Sequence, residues 1–151
     1  MLDDESRAIL RQYQSNPALT VPELAHLVRM TPARVTRRLD RLIEDGVIQG
    51  QTVEIDWTAL GYTVQVALRF TLDKTVPRAF DEFIAAARRV REVLEIQTFL
   101  GQVDVRLLLI ARDLADYQRV YRDEILTLPH IADIEALMTL SRVKGDVALP
   151  L

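Results

Sequence analysis

The densest chemistry in the sequence is a run of arginines. Arg34, Arg37, Arg38 and Arg41 fall within eight positions of one segment, Pro32–Asp45. Guanidiniums clustered in this way can bond to phosphates and, bidentately, to guanine edges in a major groove. Thr31-Pro32 opens the segment with a helix start signal. Threonine is a good N-cap, and proline at the first helical position gives up an N–H that had no partner to lose. The free N–H groups behind it can hold a phosphate. Val35, Leu39, Leu42 and Ile43 recur at i, i+4, i+7 and i+8, which predicts a helix with these four side chains inward. That phase sends Arg34, Thr36, Arg37, Arg38 and Arg41 to the outer face and its flanks. Gly46 then closes the helix as a left-handed cap. The same residues also fit a plain solvated face neutralised by Asp40, Glu44 and Asp45, so the neighbouring elements decide between the readings.

A second constellation is Gly101-Gln102-Val103-Asp104. Glycine lets a ligand approach main-chain N–H groups, and Asp104 can accept a hydrogen bond from an ammonium. An ordinary hairpin whose aspartate caps its own backbone is the competing reading. Elsewhere the chain offers little reactive chemistry. It has no cysteine and two histidines, His26 and His130. Thiolate nucleophiles, disulfides and cysteine-based metal sites are therefore excluded, and the histidines suit surface or capping roles. There is no phosphate-binding glycine loop, nucleophile elbow or H-E-x-x-H pair. No catalytic residue, metal or cofactor is expected.

The elements needed to position these residues are legible around them. Asp3–Gln14 reads as a first helix, with Ile9, Leu10 and Tyr13 at helical spacing and Asp3, Asp4 and Glu5 at the positive end of its dipole. Ser15-Asn16-Pro17 ends it. Thr20-Val21-Pro22-Glu23 is a capping box that starts a short second helix, whose stripe is Leu24, Leu27 and Val28. The turn before Thr31 lacks the expected glycine. Arg29 stands there, at a cost of about 1 kcal/mol if it adopts the left-handed region. Two capped helices joined by a short turn make a helix-turn-helix, and Thr20–Ile48 is assigned to it. Val47-Ile48, Gln49-Gly50-Gln51 and Thr52–Ile55 suggest a small β-hairpin, the wing.

The pattern changes at Asp56–Gly61. Tyr62–Leu72 reads as a strand, Val76–Ala87 as a helix with Phe80, Phe83 and Ile84 on one face, and Val93–Leu100 and Val103–Ala111 as strands joined by Gly101-Gln102. Asp113 caps a helix through Leu126, with Leu114, Tyr117, Val120, Tyr121 and Ile125 inward, and Ile131–Val143 is the last strand. The order β-α-β-β-α-β is ferredoxin-like. The expected organisation is α+β, with a winged helix-turn-helix over residues 1–56 and a ferredoxin-like domain over 57–151. Trp57, at the boundary, is expected to pack between wing and sheet.

The formal charge of the 151 residues is −3, but it is unevenly shared. Residues 1–50 carry seven arginines and seven acidic residues, so the deficit lies in the remainder. No window approaches a membrane span. The acidic start Met1-Leu2-Asp3-Asp4-Glu5 is not a secretory leader, so a cytoplasmic protein is expected.

In this order and spacing the residues resemble the Lrp/AsnC family, the leucine-responsive and asparagine-synthetase regulators. The resemblance covers nearly the whole chain. It rests on Leu2-Asp3 with Ile9-Leu10, Glu23-Leu24-Ala25, Thr31-Pro32, Val35 with Arg38, Arg41-Leu42, Gly46-Val47-Ile48 and Leu60-Gly61. In the second half it rests on Gly101 with Asp104, Leu128-Pro129 and Val143-Lys144. It implies a transcription regulator that binds double-stranded DNA, with Ala33, Arg34 and Arg37 nearest the bases and Arg38 and Arg41 nearer phosphate or internal carboxylates. It further implies a homo-oligomer, a dimer built on the C-terminal sheets and often assembled into tetramers or octamers. A small effector, typically an amino acid, would bind between dimers near Gly101, Gln102, Val103 and Asp104. Two positions depart from the family. Leu100 replaces a Thr or Ser before the turn glycine, and Ala136 aligns with a Thr of the last strand, so two hydroxyls that can hold an amino acid are missing. Relatives of this architecture include sirohaem decarboxylases, which makes a tetrapyrrole enzyme the alternative. A partner that hetero-oligomerises with other family members is a third reading.

Overall fold

The computed structural model describes residues 2–145 and 148–151, so Met1, where the first expected domain begins, and Asp146 and Val147, inside the second, lie outside the described residues. The chain divides into two compact units. One comprises Met1–Glu54 with Lys144–Leu151, and the other Ile55–Val143. The described residues of this last stretch, 144–145 and 148–151, expected with the second domain, group with the first. Gln14 shows how they are held. Its Nε2 donates to the Leu149 carbonyl at 3.0 Å, and its Oε1 accepts from the Leu149 N–H at 2.8 Å.

The first unit contains α1 (Asp4–Ser15), α2 (Val21–Val28) and α3 (Pro32–Glu44). Each start is capped as the residue types dictate. Asp3 accepts from the Ser6 N–H at 2.8 Å, and Thr20 and Glu23 form the reciprocal capping box. Thr31 caps α3 by accepting from Arg34. Ile9, Leu24, Ala25, Val35 and Leu42 form the buried centre where the three helices meet, with Leu10, Tyr13, Val28 and Leu39 packed around it. Removing a side chain such as Leu24 from water contributes roughly 1.5–3 kcal/mol, so this small core depends on every member. Ile43 and Leu27 are not among them. They are 56% and 50% exposed, because a three-helix unit covers only a narrow stripe of each short helix.

The expected wing does not form a ladder. Residues 47–55 contain no paired strand. Gln51 is engaged elsewhere, with its side-chain amide bonded to the Tyr13 hydroxyl, so the segment follows the end of α1 in place of pairing with itself.

The second unit is a four-stranded antiparallel sheet in the order β2-β3-β1-β4, from β1 (Val64–Leu72), β2 (Val93–Thr98), β3 (Val105–Ala111) and β4 (Ile131–Met138). Helices α4 (Ala79–Ala87) and α5 (Leu114–Val120) complete the β-α-β-β-α-β order. Both helices lie on one face, where Val66, Leu68 and Phe70 of β1 and Val105, Leu107 and Leu109 of β3 meet Phe83, Ala87, Val120 and Ile125. Phe70 and Phe83 stack with ring centroids 4.9 Å apart.

Several boundaries move for local reasons. The α4 helix begins at Ala79, not Val76, because Asp73 accepts from the Thr75 N–H at 2.9 Å and Pro77 disfavours a helical Val76. Phe80, in its first turn, is exposed. At the other helix, α5 passes at Tyr121–Ile125 into one wider π turn, with the Leu126 N–H bonded to the Tyr121 carbonyl at 2.9 Å. Val120 and Ile125 are fully buried and Tyr117 and Tyr121 partly so, whereas Leu114 at the helix start is exposed. The last strand stops at Met138, opposite Val66, with one more bond from the Thr139 N–H to the Gln65 carbonyl at 2.8 Å. Trp57 sits half-buried in the turn at Asp56–Gly61 of the second unit, where its carbonyl accepts the N–H groups of Leu60 and Tyr62 at 3.1 Å.

Candidate nucleic-acid interface

Helices α2 and α3 are joined by Arg29-Met30-Thr31, and Arg29 does take the left-handed conformation, at φ 55° and ψ 45°. The strain is offset by what the turn secures, since the Met30 N–H reaches the Ala25 carbonyl at 2.9 Å and closes the end of α2. Gly46, at φ +70°, closes α3 in the same way without strain.

On α3 the burial of Val35 and Leu42 fixes the helix phase. Thr31, Pro32, Ala33, Arg34, Thr36, Arg37 and Arg41 are all exposed, as the arginine-face reading requires. Arg38 is not, and its side chain retains 23% of its surface. Its guanidinium donates to Asp3 at 2.7 Å, to the Ser6 hydroxyl at 3.1 Å and to Glu5. Arg34 also pairs with Glu5, at 2.6 Å. Asp3, Glu5, Ser6, Arg34 and Arg38 therefore make one network that ties α3 to the start of α1. The Asp3 carboxyl is held far below the usual carboxylate range, chiefly by the Ser6 N–H and then by Arg38.

The four arginines are thus unequal. Arg38 is committed to the fold. Arg34 is half-exposed and shares its carboxylate, while Arg41 faces Asp45 at 3.7 Å with 81% of its side chain in solvent. Arg37 makes no ion pair or side-chain hydrogen bond among the described residues. It stands in the middle of the exposed face with its full donor fork unused.

The resemblance implied phosphate or internal carboxylates for Arg38, and the structure gives it internal ones, but reading the acidic start as a complement to the helix dipole alone did not name Asp3 and Glu5 as those partners. The signal was a charge match between Asp3 or Glu5 and Arg38, but only the packing of α1 on α3 brings them together.

The second constellation resolves differently. Asp104 immediately precedes β3, and its backbone N–H donates to the Phe70 carbonyl at 2.9 Å. Its carboxylate accepts the Leu72 N–H at 2.9 Å and faces Lys74 at 3.4 Å. The side chain therefore extends the β1–β3 ladder one step past its last pair, Phe70 opposite Val105. Gln102 contributes its carbonyl to the Thr71 hydroxyl at 3.0 Å. Val103 is partly buried and Gly101 exposed, and a Cβ built on Gly101 would meet no atom within 4 Å. Leu100 is fully exposed.

The His130 Nε2 is 2.6 Å from Glu82, and His26 is exposed on α2. Among the described residues no group of three or more metal-ligating side chains occurs. No helix there is long and apolar enough to cross a membrane.

These features define a helix-turn-helix protein that carries a basic helix and, separately, a ferredoxin-like module. Comparison with known proteins makes the class specific. Residues 2–49 match the winged helix-turn-helix DNA-binding family, and residues 65–149 match the Lrp/AsnC ligand-binding domain. The chain belongs to the Lrp/AsnC family of DNA-binding transcriptional regulators. The leucine-responsive regulatory protein of Salmonella typhimurium is 28% identical over 95% of the chain and 87% of its own length. The proline dehydrogenase transcriptional activator of Rhodobacter capsulatus is 27% identical over 95% and 93%. A transcriptional regulator from Neisseria meningitidis, solved as its L-methionine complex, superposes with a TM-score of 0.92 at 25% identity over 99% of this chain and 97% of that one.

Proposed function

We propose that this regulator reads double-stranded DNA with the outer face of α3, acts as a cytoplasmic homo-oligomer without enzymatic activity, and answers to an amino acid or related metabolite. The observation that carries the reading is the exposed, unpaired Arg37 on a helix otherwise locked to its neighbours. A donor fork held on a rigid element meets a base edge with little ordering cost. Ala33 and Arg34 flank it toward the helix start, Thr31 and the N–H groups behind Pro32 suit a phosphate, and Thr36 and Arg41 extend the contact. Arg38 contributes by aiming the helix.

The sheet face opposite the helices supports assembly. Exposed Leu137 of β4 and partly buried Leu108 of β3 lie on it beside the buried Ala67 and Ile110, an apolar centre of the kind that pairs sheet to sheet. An effector at Gly101, Gln102 and Val103 would be held mainly by exposed backbone, because Leu100 offers no hydroxyl and the Asp104 carboxylate already serves Leu72 and Lys74. An ammonium reaching Asp104 must compete with Lys74. The tetrapyrrole alternative finds no support in the histidines, since His130 is engaged by Glu82. Footprinting on the DNA upstream of its own gene tests the proposal. Protection at low salt that fades as salt rises is expected, and no protection at low salt overturns it.

A further inference from the structure

Among the described residues, Arg29 and His130 are the two other than glycine with positive φ, at 55° and 63°. Such a backbone is strained, and it marks residues that the fold or a ligand holds in place. For His130 the holding groups are visible. Its Nε2 is 2.6 Å from Glu82, and its carbonyl accepts the Asp73 N–H at 2.9 Å. Arg29 differs. Its backbone N–H donates to the His26 carbonyl at 3.3 Å and the Met30 N–H donates to Ala25, bonds that a glycine would allow equally well without strain. Its side chain is exposed and makes no ion pair or hydrogen bond among the described residues. Acids are nearby, because Asp4 and Glu5 line the same surface cavity as Arg29, Thr31 and Arg34. Glu5 is taken by Arg34 and Arg38, and Asp4 does not close on Arg29. The folded chain therefore gives no internal reason for an arginine where the turn favours glycine.

Its position supplies an external reason. Arg29 precedes Thr31, the cap of α3, and so places one more cation at the end of the exposed face that carries Arg34 and Arg37. When a helix-turn-helix docks, its first helix crosses the sugar–phosphate strand and its second enters the major groove. The residues that join the two helices then lie beside phosphates. We propose that Arg29 is a phosphate clamp, its guanidinium gripping the DNA backbone at the border of the groove that α3 enters. The inference rests on the reading of α3 as the DNA-reading helix and adds to it a contact outside that helix. A guanidinium fork matches two phosphate oxygens, and such a contact fixes register without reading sequence. Arg29 thus holds Arg34 and Arg37 against the bases while itself treating every sequence alike. The strained backbone is retained because glycine, the residue that relaxes it, has no side chain to reach the phosphate.

The full chain is titrated with the duplex upstream of its own gene and with a shuffled duplex of the same length and composition, each across a series of salt concentrations. Arg29→Gly and Arg29→Asn both suit a left-handed backbone, so the melting temperature should hold or rise. Each should weaken binding to both duplexes by the same factor, about three- to tenfold at low salt. The slope of log affinity against log salt should become shallower by about 0.9 for each bound subunit. Arg29→Lys keeps the charge on the same backbone and should keep the wild-type slope. Arg37→Ala serves as the contrast and should weaken the upstream duplex more than the shuffled one. The proposal is overturned, with the reading of α3 intact, if the glycine and asparagine variants retain the wild-type slope while Arg37→Ala loses its preference for the upstream duplex. A melting temperature that falls in Arg29→Gly also overturns it, by assigning the guanidinium to Asp4 and the fold. So does a loss confined to the upstream duplex, which makes Arg29 a base contact. Absence of salt-dependent binding of either duplex by the unaltered protein overturns the reading of α3 together with this one.

Discussion

Helix α3 and the turn at Gly101–Asp104 both present polar groups suited to a ligand, yet the fold treats them in opposite ways. On α3 most of the polar contacts to α1 are gathered into one arginine, with Arg34 sharing Glu5. Arg38 takes Asp3, Glu5 and Ser6, and among the described residues Arg37 has no partner and Arg41 a distant one. At the turn the most attractive ligand group, the Asp104 carboxylate, is itself consumed in holding Leu72. What remains there for a small molecule is backbone. A charged residue in a suggestive place is therefore informative only once its existing partners are counted, because a group already satisfied must break a bond to make another.

The contrast can be broken at several points. The largest effect on stability is expected from Asp104→Leu. It leaves the Leu72 N–H without an acceptor at a partly buried strand end, which costs about 1–3 kcal/mol. Faster amide exchange at Leu72 and a lower denaturation midpoint are the readouts. Unchanged stability would mean that the carboxylate is available to a ligand after all.

A smaller loss is expected from Arg38→Ala, which should lower the melting temperature by a few degrees, in keeping with a partly exposed ion-pair network. This network also sets an acid limit. The folded Asp3 carboxyl titrates below its unfolded value, so its contribution is complete above about pH 4 and is lost as the pH falls further, toward its folded value. Asp3→Asn should accordingly flatten the fall in stability between neutral pH and strong acid. An equally steep fall in the variant would remove Asp3 from the account.

The smallest effect concerns the turn that sets the angle of α3. Arg29→Gly should be neutral or stabilising by up to about 1 kcal/mol, because glycine relieves the left-handed strain and costs some unfolded-state entropy in return. A marked destabilisation would show that the Arg29 side chain, and not its backbone, holds the turn.

Much of this was legible in the residues. Thr20 and Glu23, Thr31 and Pro32, and Gly46 are local signals, and each acts within four residues of itself, so the helix-turn-helix could be placed closely. The β-α-β-β-α-β order followed equally from alternating patterns. What the sequence left hidden depended on contacts between distant segments. The Asp3–Glu5–Arg38 network joins residues more than thirty positions apart, and the service of Asp104 to Leu72 spans 32 positions across the β1–β3 pair. The strand pairing expected of residues 47–55 is absent for a related reason, since Gln51 bonds to Tyr13 in place of a strand across a turn. Exposure of Ile43, Phe80 and Leu114 shows the limit of periodicity, which marks a helix face without saying whether anything covers it.

The most direct measurement compares Arg37→Ala and Arg38→Ala on one operator, recording DNA affinity and melting temperature for each. The account predicts that Arg37→Ala loses about 1–3 kcal/mol of binding, roughly ten- to a hundredfold, at an unchanged melting temperature, with Arg38→Ala losing thermal stability. Full affinity in Arg37→Ala, or a melting temperature that falls with Arg37 and not with Arg38, would contradict it.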